Sequence, residues 1–308
     1  MSPYREDVAV VGAGLMGSGI AHVLAAAGHR VELYDPDPEA RAAAPARIEA
    51  MRGQLDQPPP PHPVRIQAEL EAAVSTAELV VEAGPEKLEV KRAIFAELDR
   101  LAPRAAILAT NTSAIPIAEI AVGVRSRDRV LGTHFWNPPH LVTLVEVIEA
   151  RATDPELVDR TASILRRAGL HPARVRADIP GFIGNRLQHA LKREAIALVA
   201  AGHCDAETVD EVVKRGFGAR LAVLGPLEQS DLVGLELTLD IHRTLMPALD
   251  RTAEPQPLLV EKVERGETGA RAGRGFREWD SGEAEALRAR VNRELAQRRR
   301  EALAAEVA

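Results

Sequence analysis

The stretch Val8-Ala9-Val10-Val11-Gly12-Ala13-Gly14-Leu15-Met16-Gly17 constrains this chain more than any other. Four apolar residues suit a buried strand. The three glycines behind them do separate work in a strand–turn–helix unit that holds a dinucleotide. Gly12 permits the tight turn, Gly14 lets the backbone approach a pyrophosphate, and Gly17 lets the helix pack close on the sheet. The unpaired N–H groups of the first helical turn, at Leu15 and Met16, then face the phosphates. A second strand, 31–35, ends on Asp35. An acid there accepts from the adenosine ribose hydroxyls and repels a 2′-phosphate, so the cofactor expected is NAD rather than NADP. The plainer reading makes the glycines turn formers and Asp35 a helix cap.

Further strand signals fall at 79–83, 105–110, 130–135 and 141–148, with helical patterns at 39–55, 88–101 and 116–122. Strands alternating with helices predict a largely parallel sheet covered on both faces. The run PPPPHP at 58–63 fits neither helix nor central strand, because proline lacks the N–H and fixes φ. It reads as a rigid surface excursion. After Pro180-Gly181 the pattern turns helical, at 182–201, 205–215, 226–246 and a charged 283–306. The expected architecture is an α/β Rossmann-type NAD-binding domain over 1–180, followed by an all-α domain over 181–308. A chain of 308 residues is long enough for two such cores.

Charge and composition exclude several function classes. Lys+Arg is 39 against 45 Asp+Glu, a net charge of −6, which argues against nucleic-acid binding. One cysteine leaves no internal disulfide or cysteine-rich zinc site. The nine histidines are scattered and no HExxH occurs, so no metal is expected. There is no 18-residue apolar run and no signal-peptide core at the start, so the expectation is a cytoplasmic protein without a membrane partner.

His134 closes a predicted strand, where ligands of such sheets bind. Glu146 follows in the next strand, in an otherwise apolar stretch. A carboxylate buried there needs a partner. Adjacent strands can set it against one imidazole nitrogen and leave the other free to take a proton. The alternative is a structural His–Glu pair. His140, nearer to Glu146 in sequence but behind two prolines, is a rival for the base. Asn111-Thr112-Ser113 ends another strand, offering polar groups near the nicotinamide end of the crevice or merely capping a helix. Asn185 stands in the first turn after Pro180-Gly181, to point into the cleft or to cap.

Seven blocks together resemble the 3-hydroxyacyl-CoA dehydrogenase family: GAGLMGSGIA (12–21), EAGPEKLEVKR (82–92), NTS (111–113), HFWNP (134–138), LVEVI (144–148), PGFIGNR (180–186) and GPLEQSDLVGLE (225–236). The resemblance runs over most of residues 6–280. It implies a Rossmann domain, a helical domain through which a homodimer forms, and NAD as cofactor. It makes His134 the catalytic base oriented by Glu146, and His140 a substrate-side or loop residue. Ser113 and Asn185 match positions that hold the substrate oxygen and support the histidine. Asn111 becomes a nicotinamide-side contact. Glu86 and Lys91 fall in the block along the cofactor, where Lys91 could meet a phosphate or ribose oxygen or else take a surface role.

Two departures bear on the substrate. Members that use CoA thioesters carry a longer, lysine-rich segment between the ribose acid and the strand at 79–83. Here Asp35 to Glu82 holds no lysine, only arginines 41, 47, 52 and 65, and the whole chain has 5 lysines among its basic residues. At 216–227 an insert carries Arg220, suited to clamp a free carboxylate bidentately or, in the plainer reading, to make a surface or interdomain salt bridge. Both features, and the Asn-Pro-Pro-His run at 137–140, resemble the short small-substrate branch of the family, of the L-gulonate 3-dehydrogenase/lambda-crystallin and vitamin B6 pyridine dehydrogenase kind. The expected activity is hydride transfer between NAD(H) and a small hydroxy acid. The alternatives are a 3-hydroxyacyl-CoA or acyl-carrier dehydrogenase and a catalytically silent NAD-binding protein.

Overall fold

The computed structural model describes residues 5–307 and divides into two compact units. One runs to Asn185 and takes the chain up again from Arg290; the other is Arg186–Ala289.

The first unit opens with β1 (Asp7–Val11), α1 (Leu15–Ala26) and β2 (Arg30–Tyr34). Then come α2 (Pro38–Gln54), β3 (Arg65–Gln67) and α3 (Leu70–Val74). They are followed by β4 (Leu79–Glu82), α4 (Leu88–Leu101), β5 (Ile107–Thr110), α5 (Ile117–Ile120), β6 (Val130–Phe135) and β7 (Leu144–Ile148). α6 (Pro155–Arg167) and β8 (His171–Val175) complete it. The sheet order is β3-β2-β1-β4-β5-β6-β7-β8. Every pairing is parallel except β6 with β7. This is the doubly wound Rossmann order, with its switch point beside β1.

Side-chain alternation divides each strand between two cores. Val8, Val10, Leu33 and Val81 pack with Leu24 of α1 and Leu165 of α6. Ala9, Val11, Val80 and Leu108 pack with Phe95 and Leu98 of α4. Both faces are covered, which is why the strands read as apolar runs rather than alternating ones.

The structure departs from the sequence outline in several places. The stretch 151–179, left unassigned above, holds α6 and β8; Asp154 caps α6 by accepting from the Glu156 N–H at 2.9 Å. Between Asp35 and Glu82 the chain adds a short edge strand, β3, tied to β2 by Gln67 Nε2 to Glu32 Oε2 at 2.7 Å. The predicted helix 226–246 is two helices, because Gly234 at φ 97° breaks it.

The second unit consists of α7 (Gly184–Ala200, which begins at its border), α8 (Ala206–Arg215), α9 (Pro226–Val233), α10 (Leu235–Leu245) and α11 (Pro257–Glu264). None of these five helices buries a residue within the single chain. The last helix, α12 (Glu283–Val307), was grouped with the helical domain by the sequence pattern. From Arg290 it belongs instead with the sheet. There Ala296 packs on Leu55 and Leu141. Buried Arg299 donates to the carbonyls of Ala168 and Gly169 at the C-terminus of α6, where a cation is favoured.

Candidate active site

The glycine-rich turn has the geometry a dinucleotide requires. Gly12 sits at φ 112°, and a Cβ there would meet the Ala83 carbonyl oxygen at 2.6 Å. A Cβ at Gly17 would fall 1.7 Å from the Gly12 oxygen, so only glycine lets α1 approach. Gly14 faces open space, the clearance a pyrophosphate needs. As N-cap of α1 it offers no side chain to the first-turn N–H groups, and no acidic residue stands there. Leu15 and Met16 therefore present free donors at the positive end of the helix. Asp35 accepts from Ala13 N–H at 2.7 Å through Oδ2 and from Asp37 N–H at 2.9 Å through Oδ1. Each oxygen keeps a further lone pair for a ribose hydroxyl. These residues fit NAD.

The acid–base pair is built by strand register. His134 and Glu146 are direct partners across β6 and β7, the one antiparallel step. His134 Nδ1 lies 2.7 Å from Glu146 Oε2, with both residues buried. The second carboxylate oxygen, Oε1, accepts the N–H groups of Ile183 and Gly184, each at 3.0 Å. Burial pushes the Glu146 carboxyl upward in pKa, but the His134 bond and these two N–H donors outweigh it and hold it below its ordinary value. An ionised carboxylate only accepts. The proton of the His134 ring therefore sits on Nδ1, and Nε2 carries the free lone pair. The rings of Trp136 and Phe182 flank the imidazole, with centroids 5.4 and 5.8 Å away.

A single turn joins this pair to the next strand end. Phe182, at φ 48°, lies in the uncommon left-handed region and turns the following N–H groups onto Glu146. Immediately after, Asn185 Nδ2 donates to the Ser113 carbonyl at 2.9 Å. Ser113 is exposed, and its hydroxyl makes no hydrogen bond among the described residues. Asn111 ties β5 to β6 by accepting Phe135 N–H at 2.9 Å through Oδ1, leaving its amide N–H groups free.

Other expected site residues are placed differently. His140 is a correction. It is 4% exposed, with Nε2 bound to Gln54 Oε1 at 2.8 Å and Nδ1 buried without a partner. Burial, with His22 as a lesser cause, pushes its pKa down to about 4. The two prolines direct it onto the C-terminal end of α2, where it is a neutral packing residue rather than a rival base for Glu146. Lys91 is not a surface residue: it is 1% exposed, with Nζ 2.9 and 3.0 Å from the two oxygens of fully buried Glu82. It lies beneath the β4–α4 loop, with Nζ 3.4 Å from Glu86 Oε2. Glu86, above it, accepts from Thr112 Oγ1 and from the Ser113 and Ala114 N–H groups. Arg220, in the helical unit, is exposed and forms no ion pair among the described residues. The Glu82–Lys91–Thr110 cluster and the 183–184 N–H groups escaped sequence reasoning. The signal for the cluster was an acid and a threonine closing two apolar strands, with a lysine in the first turn of the helix between them.

No metal-holding group of histidine, cysteine or carboxylate side chains occurs among the described residues. No described helix is long and apolar enough to cross a membrane.

Comparison with known proteins agrees with this geometry. Residues 7–179 match the model of the 3-hydroxyacyl-CoA dehydrogenase NAD binding domain, and residues 181–279 that of the same family's C-terminal domain. The chain is 33% identical to 5-formyl-3-hydroxy-2-methylpyridine 4-carboxylate 5-dehydrogenase of Mesorhizobium japonicum, over 96% of this chain and 97% of the relative. It is 36% identical to a probable 3-hydroxybutyryl-CoA dehydrogenase of Bacillus subtilis, over 89% and 98%. Among solved structures, the 5-formyl-3-hydroxy-2-methylpyridine 4-carboxylic acid 5-dehydrogenase, described as an NAD+ dependent dismutase, superimposes with a TM-score of 0.90 at 33% identity, covering 97% of this chain and 99% of that one. The (S)-3-hydroxybutyryl-CoA dehydrogenase of Ralstonia eutropha gives 0.74 at 27% identity, covering 90% and 100%.

Proposed function

The chain belongs to the 3-hydroxyacyl-CoA dehydrogenase family, an NAD-dependent dehydrogenase in which, we propose, the substrate is a small free hydroxy acid or similar alcohol and its oxo product rather than a CoA thioester. One observation carries this reading. The arginines that could stand in for CoA-binding lysines after Asp35 are engaged with the protein itself. Arg41 donates to the carbonyls of Asp35 and Pro36, at 2.6 and 3.1 Å. Arg47 donates to the Ala13 carbonyl at 2.9 Å. Arg52 is held by Glu49 and the Gln57 carbonyl, and Arg65 by Glu32. A triphosphorylated adenosine moiety wants several uncommitted cations. The likeness to a dehydrogenase of a pyridine carboxylate supports the same reading.

Asp35, Gly12, Gly14, Gly17 and the N–H groups of Leu15 and Met16 would hold NAD, with Asn111 and Glu86 on the nicotinamide side. When bound, NAD accepts or returns a hydride at the nicotinamide C4. His134 Nε2 takes the hydroxyl proton, while Glu146 stabilises the imidazolium through Nδ1. Ser113 and Asn185 orient the reacting oxygen. The helical unit is the substrate and dimerisation domain of a homodimer.

Purified enzyme with NADH is assayed against acetoacetyl-CoA, a set of free oxo acids and an aromatic formyl carboxylate. Turnover of a free acid is expected. Faster reduction of acetoacetyl-CoA would overturn the small-substrate reading in favour of an acyl-CoA dehydrogenase.

A further inference from the structure

We propose that Glu86 is a positioning residue for the Ser113 hydroxyl, held in place by Lys91 buried beneath it. This rests on the reading of Ser113 as a substrate-side donor. Glu86 lies in the loop between β4 and α4. Its Oε1 gathers three donors from the 112–114 turn: Thr112 Oγ1 at 2.6 Å, Ser113 N–H at 2.8 Å and Ala114 N–H at 3.2 Å. Successive N–H groups converging on one oxygen form an anion-binding nest. Thr112 Oγ1 in turn accepts Ile115 N–H at 3.0 Å, which closes the turn.

From the other side, Asn185 grips the Ser113 carbonyl at 2.9 Å. Both peptide groups flanking the Ser113 Cα are thereby held, one by Glu86 and one by Asn185. The direction of Cα–Cβ follows, while the hydroxyl stays free. Glu86 also has a fixed base. Its Oε2 lies 3.4 Å from Lys91 Nζ, and that ammonium is anchored on Glu82 at the end of β4. Glu82 accepts in addition from Thr110 Oγ1, at the end of β5, at 2.6 Å, and from Gly84 N–H at 2.7 Å. The register of two strands is thus transmitted to one hydroxyl. Removing Lys91 would strand buried Glu82 without a countercharge and endanger the fold, so Glu86 is the position to change.

The experiment is a double-mutant cycle of Glu86→Ala with Ser113→Ala, run on whichever substrate turns over fastest in the assay above. Glu86→Gln, which keeps a neutral acceptor, is the conservative rescue. Hydrogen exchange of the 112–115 amides and NADH affinity are measured on each variant. Glu86→Ala should lower kcat about tenfold at saturating NADH, because a misplaced group can cost up to about 100-fold. The 112–115 amides should exchange faster. Glu86→Gln should recover most of both. The double variant should be no slower than Ser113→Ala alone, since the two act as one unit. Losses that add would overturn the inference while leaving Ser113 in its role. Full activity of Ser113→Ala would overturn that role and the inference with it. If Glu86→Ala does not fold, the cycle is run with Glu86→Asp, whose shorter side chain draws the acceptor back from the 112–114 turn, and additive losses overturn the proposal equally.

Discussion

At the scale of the residue, the site depends on how few groups satisfy one imidazole. His134→Gln removes the base but keeps a polar side chain between Trp136 and Phe182. Turnover should fall by roughly 10²–10⁴-fold, the range for loss of a general acid–base group, with NADH binding intact by fluorescence titration. Unchanged turnover would sink the assignment. Glu146→Gln should lower kcat less, because an amide can still accept from Nδ1 but stabilises the imidazolium poorly. His134 and Glu146 were legible because a charged residue in a buried apolar run has to be explained. What closes the site was not legible, because the Ile183 and Gly184 N–H groups have no side-chain signature. His140 misled for a related reason: closeness to Glu146 in sequence says nothing about where two prolines aim the intervening loop.

Elements were legible where a period or a breaker dictated them, and not where tertiary contacts did. The strand–glycine–helix unit is local in origin, so its spacing alone locates β1 and α1. β3 is only three residues long and exists because β2 offers an open edge; nothing in Arg65-Ile66-Gln67 requires a strand. The break at Gly234 lies in an otherwise continuous helical pattern, and a lone glycine there is as compatible with a weakened helix. The strictest demand of any element belongs to α1. With a Cβ at Gly17 1.7 Å from the Gly12 oxygen, Gly17→Ala must push the helix off the turn. That should destabilise the protein by about 1–3 kcal/mol or more, as overpacking does. It should also weaken NADH binding at least about tenfold, since the first-turn donors move with the helix. Gly14→Ala, whose Cβ meets nothing in the chain, should leave the melting temperature nearly unchanged while weakening NADH binding. Equal melting temperatures for the two variants would contradict this division of labour.

The whole molecule carries two further consequences of burial. His140 is held neutral, its pKa moved from an ordinary 6.5 to about 4. Below pH 6.5 the unfolded chain takes up a proton that the folded one refuses, so stability falls as pH drops and levels off below about 4. This one residue contributes a loss of about 3 kcal/mol. His22, also buried and lowered by burial first, acts in the same direction. Urea midpoints at pH 7 and pH 4.5 should lie closer together in His140→Gln than in the parent; an equal gap would show that His140 is not the proton acceptor. The helical unit points to association. In the single chain Val223 is 90%, Leu227 79% and Leu232 75% exposed, and none of α7–α11 buries a residue. A soluble monomer rarely exposes apolar surface so continuously, and a second copy of the same helices would cover it through a self-complementary interface. Sedimentation equilibrium at micromolar concentration should therefore give twice the chain mass. Leu227→Glu combined with Leu232→Glu would set like charges against one another across a two-fold axis at a cost of several kcal/mol. The variant should sediment as a single chain with the sheet unit still able to bind NADH, whereas a parent enzyme that is monomeric at these concentrations would refute the homodimer.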